Sequence, residues 1–96
     1  MKTAKIIIKK GIDSEIGAKL IDCAWRFKSK IFVQKEERRV SAGSLMSVLS
    51  LQLVGGDEIT VVVDGPDEEE AIDLLVKAFD TSFLNEQVLA EIKERK

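Results

Sequence analysis

The fold of this chain is decided by the stretch GSLMSVLSLQLVGGDEITVVVDGPDEEEA, which covers residues 43–71. Its first part carries the signals of a short helix over residues 44–53, because Ser44 is a favoured N-cap residue and a glycine pair follows the apolar run. Residues 58–63 alternate as a strand and are bounded by that glycine pair and by an Asp-Gly-Pro turn. A helix, a strand and a turn in such close succession predict a mixed α/β or α+β domain.

The second helix signal begins after Pro66. Asp67 and Glu70 have the spacing of a capping box, and acidic residues crowd the first turn, where the helix dipole favours them. Apolar residues then recur with the period of one helical face: Ala71, Leu74, Leu75, Ala78 and Phe79. Residues 82–96 repeat this pattern more weakly. They predict a short terminal helix, packed either on the domain or on a second copy.

The segment before residue 43 completes the set of elements. Residues 3–9 read as a strand, residues 14–28 as an amphipathic helix, and residues 31–34 and 38–41 as two short strands. Trp25 lies off the apolar stripe of the helix, so its ring either caps the edge of the core or faces a partner. The predicted fold is one four-stranded sheet with its helices packed on a single face.

Composition narrows the possible functions. The chain has 96 residues, of which 45% are hydrophobic and 33% charged, as expected for one globular domain. It contains no histidine, which removes the commonest acid–base group, the commonest metal ligand and any phosphohistidine. Its one cysteine, Cys23, lies in an apolar helical pattern typical of a structural thiol. We therefore expect no enzyme, no catalytic residue, no metal site and no cofactor.

Charge is distributed unevenly along the chain. Residues 1–40 carry 11 Lys or Arg against 5 acids, whereas residues 41–96 carry 4 against 12. The lysines are scattered and lack an aromatic stacking platform, so we expect no direct nucleic-acid binding. No stretch approaches the roughly 20 apolar residues of a membrane span, and the lysine-containing start leads into a strand without a signal-peptide core. We expect a cytoplasmic protein with no membrane association.

The loop before the first helix, GIDSEIG at residues 11–17, has the form of an anion site. A glycine turn that opens a helix presents unpaired backbone N–H groups. Here the chain places its own carboxylates, Asp13 and Glu15, in that position. The loop therefore predicts an anion site that the protein itself occupies.

These motifs together resemble the HPr family, the small phosphocarriers of the bacterial sugar phosphotransferase system. The resemblance covers residues 3–80, and its most specific part is the serine motif of residues 43–51. It implies an open-faced sandwich of order βαββαβα, in which three helices cover one face of a four-stranded antiparallel sheet. The chain then divides into an HPr-like domain, residues 1–80, and a C-terminal helical extension, residues 81–96.

The resemblance also aligns the loop of residues 11–17 with the family's active-site loop. By position, Asp13 replaces the phosphorylated histidine, Glu15 the arginine that neutralises the phosphoryl group, and Ile16 the helix-opening proline. A carboxylate at Glu15 repels a phosphoryl group, where an arginine would pair with it. The expectation is a paralogue that has lost phosphocarrier activity. An acyl phosphate on Asp13 is the alternative, although such chemistry normally needs a metal ion or cationic clamp.

Ser44 matches the position that HPr kinase phosphorylates in the family in Gram-positive bacteria. From the residues alone, Ser44 is either a simple N-cap or a regulatory phosphorylation site. The resemblance makes Leu45, Met46 and Leu49 the partner-binding residues. The implied partners are proteins: HPr kinase, phosphotransferase-system components or a transcriptional regulator, with a homodimer through the extension as a further possibility. The alternative function is a structural or interaction module unrelated to sugar transport.

Overall fold

The structure, a computed structural model, describes residues 1–94; Arg95 and Lys96, at the end of the predicted extension, lie outside the described residues. The elements follow in the order β1 (Lys2–Ile7), α1 (Ser14–Trp25), β2 (Lys30–Lys35), β3 (Arg38–Ser41), α2 (Leu45–Leu49), β4 (Glu58–Asp64), α3 (Glu68–Asp80) and α4 (Glu86–Glu94). The predicted βαββαβα order is confirmed.

The four strands form one sheet in the order β1-β4-β2-β3, and all neighbouring strands are antiparallel. Because side chains alternate between faces, each strand turns its apolar set toward the helices. The residues buried on that face are Ile6, Ile31, Val33, Ile59, Val61 and Val63. The opposite face carries exposed polar residues such as Thr3, Lys5 and Arg39. The prediction that the helices cover a single face is therefore confirmed.

The helices bury the apolar stripes that their sequence pattern predicts. On α1 the buried residues include Ile16, Leu20, Cys23 and Ala24, and on α3 they include Ala71, Leu74, Leu75, Ala78 and Phe79. The last described segment joins the same core. Leu89 and Ile92 of α4 are buried, and Phe83 packs edge-on against Phe79 with ring centroids 4.9 Å apart. Helix α4 therefore packs on its own domain.

Helix α1 ends at Trp25, earlier than the apolar pattern predicts. Asp67 accepts a hydrogen bond from the backbone N–H of Lys28 at 2.8 Å and another from the hydroxyl of Ser29. These bonds hold the turn after α1 against the loop before α3. The predicted capping box is wrong for the same reason, since the Asp67 side chain makes no cap bond. Instead, the Glu68 carboxylate accepts from the Gly65 N–H at 3.2 Å.

Helix α2 is also shorter than predicted. At its C-terminal end the backbone hydrogen bonds join residues three apart, since the Leu51 N–H donates to the Val48 carbonyl at 3.1 Å. Gln52 then adopts a φ of 52°. A left-handed residue ends a helix, so the chain turns before the glycine pair is reached. Arg38 of β3 fixes this end, because its guanidinium donates to both the carbonyl and the hydroxyl of Ser50, at 3.0 Å each.

Candidate functional site

The start of α1 is closed by Asp13. Its carboxylate Oδ1 accepts a hydrogen bond from the Ile16 N–H at 2.9 Å, and its carbonyl accepts from the Gly17 N–H at 2.8 Å. Asp13 is thus the N-cap of the helix, with extended backbone angles. The preceding loop is anchored by the Ile12 N–H, which donates to the Leu53 carbonyl at 3.1 Å. The side chain of Asp13 is exposed but turned back onto its own helix.

The first turn of α1 adds a second negative charge beside Asp13. Glu15 lies in the first turn of α1, where it is exposed. Lys9, which precedes the loop, is paired with Asp80 at 2.7 Å. A phosphoryl group carries about two negative charges and needs cationic donors around it. Glu15 would repel such a group.

The start of α2 is capped by Ser44. Its Oγ accepts from the Ser47 N–H at 3.4 Å, a long hydrogen bond, and its backbone is extended. Unlike α1, this helix has no acidic residue in its first turn. Ser44 is partly exposed, so its hydroxyl lies at the surface of the protein. The N-cap interpretation of Ser44 is therefore confirmed as geometry, and phosphorylation remains a prediction.

The apolar residues predicted beside Ser44 are only partly exposed. Met46 has 79% of its surface exposed, whereas Leu45 and Leu49 are half-buried. Both leucines pack on α1 at Gly17, where an added Cβ would lie 2.8 Å from Leu45 Cδ1 and 3.6 Å from Leu49 Cδ2. Gly17 therefore lets the two helices approach closely. The three residues form one surface with α1, and Met46 is its most exposed part.

Trp25 lies next to this surface at the end of α1. It is 73% exposed and does not cap the core, yet its Nε1–H donates to the Gly43 carbonyl at 3.2 Å. That bond connects the end of α1 to the residue just before Ser44. An exposed tryptophan in a fixed orientation is typical of a binding surface. Of the two alternatives left open by the sequence, the exposed position agrees with the ring facing a partner.

Cys23 has the structural role expected from the sequence. It is 1% exposed on the core side of α1, and burial raises the pKa of its thiol to about 11. At neutral pH the thiol is protonated and therefore a poor nucleophile. Within residues 1–94, no three side chains of the metal-binding types (His, Cys, Asp, Glu) are arranged to hold an ion.

The geometry defines a class of protein before any comparison is made. It is a small open-faced sandwich in which two helix starts and an apolar surface share one side, as in proteins that carry a group or dock a partner. The sequence model for the "PTS HPr component phosphorylation site" matches residues 1–81. The chain belongs to the HPr family.

Individual relatives agree with this assignment. The HPr-like protein Crh of Halalkalibacterium halodurans is 35% identical over 75 residues, which cover 78% of this chain and 89% of that protein. The phosphocarrier protein HPr of Treponema pallidum is 33% identical over 86 residues, covering 90% of this chain and 98% of that protein. The crystal structure of HPr-C-His from Thermoanaerobacter tengcongensis superposes with a TM-score of 0.82 at 34% identity, covering 88% of this chain and 98% of that one.

The phosphocarriers of this family share two properties. The phosphocarriers of the family are carrier proteins and not enzymes, and they interact with proteins of the phosphotransferase system. The match also includes the loop of residues 11–17, where this chain has no histidine to phosphorylate. Among residues 1–94, no helix is both long and apolar enough to cross a bilayer.

Sequence reasoning missed two features of this side of the molecule. One is the close contact at Gly17, whose signal was a residue without a side chain at a position facing Leu45 and Leu49. The other is the clasp of Arg38 on Ser50, which joins β3 to the end of α2. No local sequence pattern predicts this contact, because Arg38 and Ser50 belong to different elements.

Proposed function

We propose that this protein is an HPr-family member without phosphocarrier activity that acts as a regulatory, protein-binding module. The observation that carries the proposal is the start of α1. There, Asp13 stands where the family has its phosphorylated histidine, and its carboxylate is bound to the Ile16 N–H at 2.9 Å. Glu15 adds a second negative charge in the same turn. The helix start thus contains its own anion, which disfavours a phosphoryl group.

The regulatory part of the proposal concerns Ser44. Its partly exposed hydroxyl begins α2 at the position of the family's regulatory serine, and no acidic side chain competes with a phosphate in the first turn. Met46 offers an exposed apolar contact, supported by the half-buried Leu45 and Leu49. Phosphorylation would place negative charge beside this apolar surface, and partner proteins could read both.

The proposal extends to the setting of the protein. It acts in the cytoplasm with protein partners: HPr kinase, components of the phosphotransferase system or a transcriptional regulator. Residues 1–80 form the HPr-like domain, and residues 81–96 the extension. A homodimer through the extension would use its exposed Leu84, since Leu89 and Ile92 are buried within the chain itself.

Phosphorylation by HPr kinase and ATP tests the regulatory part. We expect mass spectrometry to find one phosphate on Ser44, and none on the Ser44→Ala variant. Ser47→Ala is the matched control, because Ser47 lies in the same helix and should leave the reaction unchanged. A wild-type protein without phosphate on Ser44 would favour the alternative, an interaction module unrelated to sugar transport in which Ser44 is only a cap.

A second assay tests the loss of carrier activity. Incubation with the general phosphotransferase enzyme and labelled phosphoenolpyruvate should leave the wild-type protein unlabelled. The competing hypothesis, an acyl phosphate on Asp13, predicts label that disappears in Asp13→Asn. That variant keeps a capping side chain, so loss of label could not be attributed to an unfolded helix.

A further inference from the structure

A concave region lies at the C-terminal end of α1, away from the loop of residues 11–17. It is a cleft of about 450 Å³ between the end of α1, the start of β2 and the turn that joins β3 to α2. Three aromatic residues are among those that line it, Trp25, Phe27 and Phe32. This volume falls within the range of about 300–1,000 Å³ that is common for small-molecule sites.

The walls of the cleft are mainly apolar and already in place. Phe27 is buried, and Phe32 is half-buried on the open face of the sheet, paired with Val62 of β4. Trp25 is held by its bond to the Gly43 carbonyl although most of the ring is exposed. A ring fixed in this way loses little conformational freedom when it binds a ligand.

The turn that forms the rim is fixed as well. Asp67 holds the Lys28 N–H and the Ser29 hydroxyl, and Ser29 is buried. Gly65 lies so close to Ser29 that an added Cβ would be 2.5 Å from its Cα. The backbone of residues 28–29 is therefore packed tightly against the loop before α3. The rim does not have to be ordered when a ligand enters.

The cleft is lined by two charged side chains of the same sign. Among residues 1–94, Lys28 and Lys30 line it and no acidic residue does. Both lysines are exposed, and neither ammonium takes part in the ion pairs found among residues 1–94. The nearby acids have other partners: Asp22 pairs with Arg26 at 3.5 Å, and Asp64 lies 3.9 Å from the terminal amine. The Asp67 carboxylate accepts from the Lys28 N–H and the Ser29 hydroxyl.

We propose that this cleft binds a small molecule with a flat apolar body and one or two negative charges, such as an aryl phosphate or carboxylate. The body would stack on the exposed ring of Trp25, and the anionic group would reach Lys28 and Lys30 at the rim. Aromatic walls favour a flat ligand, and two free ammonium groups favour an anion over its neutral analogue. The lining residues include neither Asp13 nor Ser44, although Gly43 directly precedes Ser44. Binding in the cleft requires neither phosphorylation of Ser44 nor the loss of carrier activity.

The test uses a matched pair of probes, 1-naphthyl phosphate and 1-naphthol, titrated into the ¹⁵N-labelled full-length protein. We expect saturable chemical-shift changes confined to residues 24–32 and 41–43. The phosphate should bind about fivefold to tenfold more tightly than the alcohol, because two exposed ion pairs contribute modestly. This preference should decrease in 0.5 M salt, which screens exposed charges.

Three variants locate the site. Lys28→Gln with Lys30→Gln should abolish the preference for the phosphate, while Lys5→Gln with Lys10→Gln removes two exposed lysines outside the cleft and should retain it. Trp25→Ala should weaken both probes, and its spectrum shows directly whether the protein remains folded.

Other outcomes overturn the proposal. Absence of saturation, shifts centred elsewhere, or an equal loss of preference in both lysine pairs would each contradict it. Tighter binding of an acidic peptide with one phenylalanine, at the same residues, would assign the cleft to a protein partner instead.

Discussion

The starts of α1 and α2, on one side of this molecule, differ in whether the chain itself places a negative charge there. At α1, the Asp13 carboxylate makes a hydrogen bond of 2.9 Å to the backbone and Glu15 follows in the first turn. At α2, the neutral Ser44 hydroxyl makes a long bond of 3.4 Å and no acid follows. The first start carries a permanent charge that the sequence encodes. The second start has no charged residue in its first turn.

The two starts also differ in how deeply their helices are anchored. Helix α1 has 12 residues and buries a full stripe in the core, while α2 has 5 residues and a single fully buried side chain, Val48. The comparison suggests that α1 is the fixed element and α2 the more readily altered one. The following experiments test that difference, beginning with the largest expected effect.

Restoring the phosphocarrier residues should change the behaviour of α1 most. We expect Asp13→His with Glu15→Arg to accept label from the general phosphotransferase enzyme, whereas wild type accepts none. Asp13→His alone should accept about a hundredfold less than the double variant, because Glu15 would repel the phosphoryl group that an arginine stabilises. Acid-labile label on the protein measures the reaction. Equal labelling of the two variants would mean that Glu15 is no obstacle.

Truncating one buried and one exposed apolar side chain should show how much each contributes to stability. Ile92 of α4 is fully buried, so Ile92→Ala should lower the free energy of unfolding by about 2–5 kcal/mol. Met46 is 79% exposed, and Met46→Ala should change the stability by less than about 0.5 kcal/mol. Urea denaturation measures both. A large loss of stability in Met46→Ala would show that α2 is anchored through that residue.

Removing the two caps compares the helix starts directly. Asp13→Ala should lower the free energy of unfolding by about 1 kcal/mol, and Ser44→Ala by about 0.5 kcal/mol, because the Ser44 bond is longer and its helix shorter. Asp13→Asn is the control, since asparagine caps equally well and removes only the charge. Equal losses for the two alanine variants, measured by denaturant unfolding, would mean that the two caps stabilise the protein equally.

Lowering the pH should weaken the contacts of Asp57, in the segment that follows α2. The Val54 N–H, at 2.9 Å, and then the Lys35 ammonium, at 3.0 Å, hold the pKa of Asp57 below its ordinary value. Since the folded-state pKa is the lower one, the stabilisation is complete above the unfolded-chain value of about 3.9 and is lost as the pH falls through the folded-state pKa. Asp57→Asn should therefore lose less stability between pH 7 and pH 3 than wild type does.

Denaturant midpoints at these two pH values measure the effect. Asp73→Asn is the control, because Asp73 is an exposed acid of α3 that makes no side-chain hydrogen bond or ion pair within residues 1–94. An unchanged pH dependence in Asp57→Asn would assign the acid sensitivity to other carboxylates.

The elements were predictable from the sequence because their signals are local. Apolar period, glycine pairs and capping residues depend on neighbours within a few positions, so the order of strands and helices and the N-cap at Ser44 could be read directly. The sequence pattern extends α1 and α2 beyond the residues at which the two helices end in the structure, Trp25 and Leu49. Each end is set by a distant partner, Asp67 for the turn after α1 and Arg38 for the end of α2.

The candidate site divides in the same way. The absence of histidine and the carboxylates at residues 13 and 15 are facts of the sequence. The exposure of Trp25, the shielding of Leu45 and Leu49 by α1, and the cleft at the end of α1 depend on how separate elements pack.

The sequence by itself determined the order of the elements, the family and the absence of any histidine. Only the tertiary structure decided where α1 stops, how Trp25 faces solvent, and that α4 packs on its own domain. The physical reason is the distance along the chain over which each interaction acts. Hydrophobic period and capping act within a helical turn or two, whereas contacts such as Lys28 with Asp67 join residues 39 positions apart and exist only after the chain has folded.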